Sequence, residues 1–230
     1  METRLLSSNF VIGSSRARLE MRSMNIHTAT SKISFLAILA CCLAGWMAGT
    51  LDASAQAFCA IRNPNRIIQE FFDSGSVFRS YQRTISRDIA ARCSQQVDVA
   101  FDPREFGKHT LYAVSEGETL VGYVMARTEV ADYGLAEIAW KLDPQLRIQG
   151  FAFQRCRSPH RKALLESGLD QKLAGSTLEE LIAMRQEARF ENLMRSLSLK
   201  PEGEVLLRAV LNSAIKTILL TKVAFADDVG

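Results

Sequence analysis

Seven residues stand where this chain could hold an anion. Arg155, Arg157, His160 and Arg161, with Lys162 beside them, form the densest basic cluster of residues 58–230. Guanidinium groups present planar forks of N–H donors that match phosphate and carboxylate oxygens. The cluster falls where a strand pattern gives way to a helix pattern, and the free N–H groups of a helix start also favour anions. A solvated basic turn is the alternative. The second group is Ser213, Lys216 and Thr217, polar residues inside a mostly apolar run. Their i, i+3 and i, i+4 spacing puts them on one helix face, where an ammonium and two hydroxyls would suit a phosphate. Arg79 and Arg83 alternate along a strand-like run; they read as solvated edge charges sooner than as a phosphate pair.

Other chemistries lack their residues. There is no Gly-x-Ser-x-Gly, no His-Glu-x-x-His and no phosphate loop, so hydrolase readings have no support. No Cys-x-x-Cys occurs, which removes thioredoxin-like and haem-attachment motifs. Cys156 and His160 have metal-ligand spacing without further ligands. His109 opens a strand pattern and reads as a hydrogen-bonded structural histidine. Glu129 and Glu137 fall within strand patterns, and their spacing alone does not make them an acid pair.

The elements that must position these groups are legible from periodicity. Residues 109–156 hold four short runs rich in Val, Ile, Tyr, Phe and Thr, parted by Glu116-Gly117, Asp132-Tyr133-Gly134 and Asp143-Pro144. That is the mark of an antiparallel meander. Ahead of it come a helix opening at Asn63-Pro64, a strand over residues 76–85, a helix over residues 86–96 and a short strand over residues 97–101. In the meander, Ala136, Ile138, Trp140 and Leu142 read as a buried face, with Leu135, Glu137, Ala139 and Lys141 as the wetter one. Phe151 and Phe153 share a face with Gln149 and Arg155 by the same alternation. Behind the basic cluster, Ser176 and Glu179 match a capping box. Residues 178–197 form two helices or one bent helix, and residues 204–222 form a long helix apolar on most sides. The fold class is α+β: an antiparallel β-meander sheet packed with helices.

The N-terminal part has a separate character. Residues 33–47 are an uncharged apolar run of 15 residues, shorter than the roughly 20 that a bilayer span needs. Lys32 precedes it and Ala55-Gln56-Ala57 follows, which describes a signal peptide over residues 1–57 cleaved after Ala57. Met21 or Met24 is an alternative start, which would leave residues 1–23 untranslated on the second choice. The competing readings are an uncleaved anchor, the one way the chain would touch a membrane, and a lipoprotein through Cys41. The chain is thus expected to be exported, periplasmic or extracellular, with residues 58–230 as a single domain. Without residues 1–57 the count is 23 Lys+Arg against 22 Asp+Glu, a net of +1. Nucleic-acid binding then has no electrostatic footprint. Cys59, Cys93 and Cys156 remain, an odd number from which the sequence chooses no pair.

Further motifs carry a resemblance. Gly122-Tyr123-Val124, then Tyr133-Gly134, then a strand ending Leu142-Asp143-Pro144-Gln145-Leu146-Arg147-Ile148-Gln149-Gly150-Phe151, are similar to the FMN-binding domain family. That family includes the flavoprotein subunits of sodium-pumping quinone reductases and Rnf-type electron-transport complexes. Leu169-Asp170-Gln171-Lys172-Leu173-Ala174-Gly175-Ser176-Thr177-Leu178 resembles the F-x-x-Q-F-x-G-K-S-L stretch that follows in the family. Order and spacing agree over residues 122–180. The chain departs from the pattern at Gln154-Arg155-Cys156-Arg157-Ser158-Pro159-His160, where the family reads E-T-P-G-x-G. The nearest counterpart of its S-G-A-T-x-T-S motif is Asn212-Ser213-Ala214-Ile215-Lys216-Thr217, with Lys216 where a flavinylated threonine would stand. The resemblance therefore implies FMN held without a covalent bond, by the basic turn and the Ser213–Thr217 face, and electron transfer with a redox partner protein at the membrane. The alternative is an exported domain that kept the architecture, lost the cofactor and binds a protein or an anionic ligand.

Overall fold

The computed structural model describes residues 63–72 and 74–229; the signal-segment expectation and Cys59 lie outside them. The elements are α1 (Asn65–Phe71), β1 (Val77–Ile85), α2 (Arg87–Gln96), β2 (Gly107–Glu116), β3 (Thr119–Ala131), β4 (Gly134–Leu142) and β5 (Ile148–Arg155). Helices α3 (Arg161–Glu166), α4 (Leu169–Leu173), α5 (Leu178–Arg185), α6 (Glu187–Ser196) and α7 (Glu204–Ala224) follow. The five strands pair antiparallel in the order β1-β2-β3-β4-β5, so each is joined to its neighbour in sequence. The fold is α+β, and the expected meander gains β1 as an outer strand.

Local chemistry accounts for the turns. Gly117 and Gly134 take φ of +60° and +93°, conformations that a Cβ would disfavour. After β4 the Asp143 carboxylate accepts the N–H groups of Gln145 and Arg147 at 2.9 and 2.8 Å, an Asx-type turn. Ser86 caps α2, its hydroxyl accepting the Ile89 N–H at 3.3 Å.

The main core lies between one sheet face and the C-terminal helices. Tyr123 and Met125 of β3, Ile138, Trp140 and Leu142 of β4, and Phe151 and Phe153 of β5 pack there with the apolar side chains of α7. Helix α7 carries fourteen buried residues over its 21 positions, as an apolar run with few polar breaks requires. The other sheet face is covered as well. Ile67 of α1 packs on Ala126 and Ala139, and Ile68 on Val114 and Val124. The expectation that Glu137 and Ala139 lie on a wetter face is therefore corrected: both are buried.

Three other expectations change, each for a local reason. Residues 97–101 form no strand; the Val99 N–H donates to the Val97 carbonyl at 2.7 Å, a tight turn that buries both valines before Asp102-Pro103. The capping box is one residue later, Thr177 with Glu180, because the Ser176 carbonyl accepts the Ile148 N–H at 3.0 Å and holds Ser176 outside the helix. Register shifts between β4 and β5 leave Gln149 and Gln154 as extra residues, so Glu137 faces Arg155 while Ile138 faces Phe153. Arg155 is thereby turned to the face opposite Phe153. Residues 178–197 resolve into two helices broken at Gln186.

Candidate functional site

The basic cluster folds as a tied turn. Ser158 Oγ donates to Asp132 at 2.7 Å and accepts the His160 N–H at 3.1 Å, joining the turn after β5 to the β3–β4 turn. His160 Nε2 lies 4.0 Å from the same carboxylate, and its side chain packs beside Gly203, where α7 begins. Burial pushes the Cys156 thiol above its ordinary range and so favours the protonated thiol over the thiolate. Helix α3 spans six residues, so its contribution to anion binding through the dipole is small.

Of Arg155, Arg157, His160 and Arg161, Arg161 lines the hollow at the β5 edge. A hollow of about 510 Å³ is bounded by Arg66 and Glu70 of α1, Phe151 and Phe153 of β5, and Arg161 and Leu165 of α3. The Arg161 guanidinium carbon lies 5.9 Å from the Phe153 ring centre, within cation–π range. Phe151 and Phe153 meet edge to face at 5.6 Å. Arg155, Arg157 and His160 are not among the lining residues. The hollow thus sets two guanidinium groups beside the buried Phe151 and Phe153, and the charge of Arg66 is balanced by Glu70 at 2.9 Å.

Ser213, Lys216 and Thr217 do share a helix face, and it looks inward onto the sheet. The buried Ser213 hydroxyl accepts the Trp140 indole N–H at 2.9 Å. Thr217 Oγ1 donates back to the Ser213 carbonyl at 2.7 Å. Lys216 Nζ donates to Glu105 at 2.6 Å and to Glu129 at 3.2 Å. Since α7 starts at Glu204, Lys216 sits about 20 Å along the helix from the end that touches His160. The structure therefore does not bring the two predicted groups into one site.

Lys216 belongs to a buried tetrad. Arg127 contacts both carboxylates as well, donating to Glu105 and, at 3.0 Å, to Glu129. Two cations and two carboxylates balance, which is the condition for burying such charges. Glu105 is positioned by the 3₁₀ turn Pro103–Glu105, where its carboxylate also accepts the Asp102 N–H at 2.8 Å. Burial would raise its pKa, but Arg127 and Lys216 prevail and hold it below the usual range. Glu129 has longer bonds, and there burial wins and raises the pKa. His109 Nε2 lies 2.8 Å from the Glu105 carbonyl and so carries the proton. Burial, helped by Arg127, lowers the His109 pKa to about 4, so the ring is neutral at pH 7. A hollow of about 300 Å³, lined by Phe101, Asp102, Asn212 and Val130, opens onto Lys216 and its two carboxylates.

Glu105 and Arg127 have no motif around them. The available signal was Arg127 and Glu129 two apart on a strand, hence on the same inward face as Tyr123 and Met125. Charges there need partners, and a lysine in an apolar helix needs them equally. Among the described residues no cluster of three or more His, Cys, Asp or Glu could hold a metal. No helix there is long and apolar enough to cross a membrane. Cys93 and Cys156 are free thiols.

In comparisons with known proteins, no protein-family model matches the chain and no curated protein matches it.

Proposed function

We propose that this chain is an exported binding domain whose ligand is a flat, aromatic anion, FMN in the first instance, taken without a covalent bond into the hollow between α1, β5 and α3. The observation that carries this reading is the Arg161 guanidinium over the Phe153 ring at the wall of a cavity of about 510 Å³. That volume falls in the range usual for small-molecule sites, and aromatic walls with a few charged groups are the usual lining. Phe153 is buried beneath Arg161, so a ring system would lie against exposed Leu165 while Arg161 and Arg66 face its phosphate. Bound flavin would supply one- and two-electron chemistry, and a redox partner protein at the membrane would exchange the electrons. The Ser213, Lys216 and Thr217 set does not fit a phosphate. Its hydroxyls already serve Trp140 and the helix backbone, and Glu105 and Glu129 would repel the anion.

FMN titration followed by flavin fluorescence quenching tests the reading. Saturable quenching is expected, weakened about tenfold or more in Arg161→Ala, the order for loss of a charge-assisted contact. A colourless protein that leaves flavin fluorescence unchanged would sink it. The second reading, a domain without cofactor that binds a protein or anionic ligand, is favoured by the internal use of Ser213, Lys216 and Thr217. On that reading Arg155→Ala and Arg157→Ala, outside the hollow, weaken partner binding while Arg161→Ala does not.

A further inference from the structure

The two edges of the sheet are treated differently. At β5, the Ile148 N–H donates to Ser176 at 3.0 Å and the Ile148 carbonyl accepts from Gly175 at 2.7 Å, so chain already covers the start of that edge. At β1, pairing is with β2 alone. Among the described residues no backbone group bonds to its outer side, and only an Arg83 N–H reaches the Gln82 carbonyl, at 3.2 Å. The strand is nine residues long, and Val77 and Phe78 are 62% and 41% exposed. A long open edge is a template for strand addition unless its side chains prevent it.

The side chains narrow the choice of partner. β1 carries Arg79 and Arg83 and no acidic residue. Arg83 is held by Asp228 at 2.8 Å, whereas Arg79 has no ion pair among the described residues. An antiparallel second copy centred on Tyr81 would set Arg79 against Arg83, and one centred on Arg79 would set it against itself. Like charges opposite one another are destabilising in a sheet, so these two registers are disfavoured, whereas one centred on Ser80 sets Arg79 against Tyr81 and is left open to a second copy. Arg79, the charge without an ion pair, suits a carboxylate; Asp228, which also lines the hollow beside it, is already held by Arg83. Val77, Arg79 and Tyr81 share the face that borders a hollow of about 470 Å³, also lined by Ala113 and Leu120. Phe78 stands on the other face, edge-on to Tyr112 at 5.7 Å.

We infer that β1 is a docking edge for an extended segment of another protein, one that alternates acidic with β-branched or aromatic residues and adds as a sixth strand. Backbone bonds supply the pairing, a carboxylate opposite Arg79 supplies selectivity, and an apolar side chain covers Phe78. The site stands at the far side of the sheet from β5 and does not rest on the flavin reading.

The test uses the purified protein and a fluorescein-labelled peptide of about ten residues alternating Glu and Val, with a Lys–Val peptide as counterpart. Saturable anisotropy is expected for the Glu–Val peptide, together with slowed amide exchange in residues 77–85. Arg79→Glu should weaken that peptide about fivefold or more and bind the Lys–Val peptide better than wild type does, the scale expected for reversing one exposed pair. Three results would overturn the inference. They are no saturable binding, binding unchanged by Arg79→Glu or without β1 protection, and a disulfide-linked dimer of Ser80→Cys at micromolar protein, which would mean that a second copy takes the edge.

Discussion

Replacing Lys216 by Met removes one of the two cations that balance Glu105 and Glu129. Methionine keeps the unbranched stem, so packing in α7 changes little and the charge change dominates. Glu105 loses its 2.6 Å bond and Glu129 its 3.2 Å bond, leaving Arg127 alone against two buried carboxylates. Breaking a buried ion pair by removing one partner costs about 3–5 kcal/mol. Glu129 can relieve part of this by taking a proton, because burial already raises its pKa. A group that binds its proton more tightly when folded gives stability that falls as pH rises. The deficit against wild type should therefore be largest at pH 7 and smaller at pH 5. Urea unfolding of both proteins at the two pH values measures it; His109 is common to both and cancels. Adding Glu129→Gln restores one cation and one carboxylate, so the double variant should be more stable at pH 7 than Lys216→Met alone. A deficit below about 1 kcal/mol, or one that does not change with pH, would refute the tetrad as a balanced unit. So would a double variant as unstable as the sum of its parts, since groups in one network do not add.

Two further outcomes follow from buried polar groups. The His109 pKa is lowered from its ordinary 6.5 to about 4, so the unfolded chain binds a proton there before the folded one does. Stability from this group is complete above about pH 6.5 and is lost as pH falls toward 4, by roughly 3 kcal/mol. His109→Gln should flatten that limb, and an imidazole titrating near 6.5 by NMR would contradict the burial account. Ser213→Ala leaves the Trp140 indole N–H without its acceptor and should cost about 1–3 kcal/mol by denaturant unfolding, with much of that removed when Trp140→Phe is added. Equal costs of Ser213→Ala with and without the Trp140→Phe substitution would show that the bond is not the cause.

What could be read ahead from the residues was the part set by local chemistry. Gly117, Gly134 and Asp143 mark turns whatever they connect, and alternation marks strands, so the meander was legible. The features that depend on a partner strand or a distant segment were not. The extra residues Gln149 and Gln154 exist only in register with β4, yet Gln154 turns Arg155 away from Phe153 and leaves Arg161 as the one member of the basic cluster that lines this hollow. The capping box moved by one residue because Ile148 holds Ser176. Lys216 stood out in its helix, but the carboxylate it bonds most closely lies 111 positions away in a 3₁₀ turn with no motif.

That distance also separates the readings of function. An anion placed on Lys216 would have to displace Glu105 or Glu129 or approach both, and it would meet a cluster already balanced at two positive and two negative charges. Displacing Glu105 would strand a buried carboxylate whose pKa is held low, at a cost comparable with removing the lysine itself. A phosphate dianion there meets two cations and two carboxylates, with no net attraction. In the hollow by β5 it faces Arg161 and Arg66, with Glu70 already paired to Arg66 at 2.9 Å. The two helix hydroxyls and the lysine that resemble a flavin-phosphate motif therefore secure α7 to the sheet, and the proposed ligand site is the hollow by β5, where Arg161 meets Phe153.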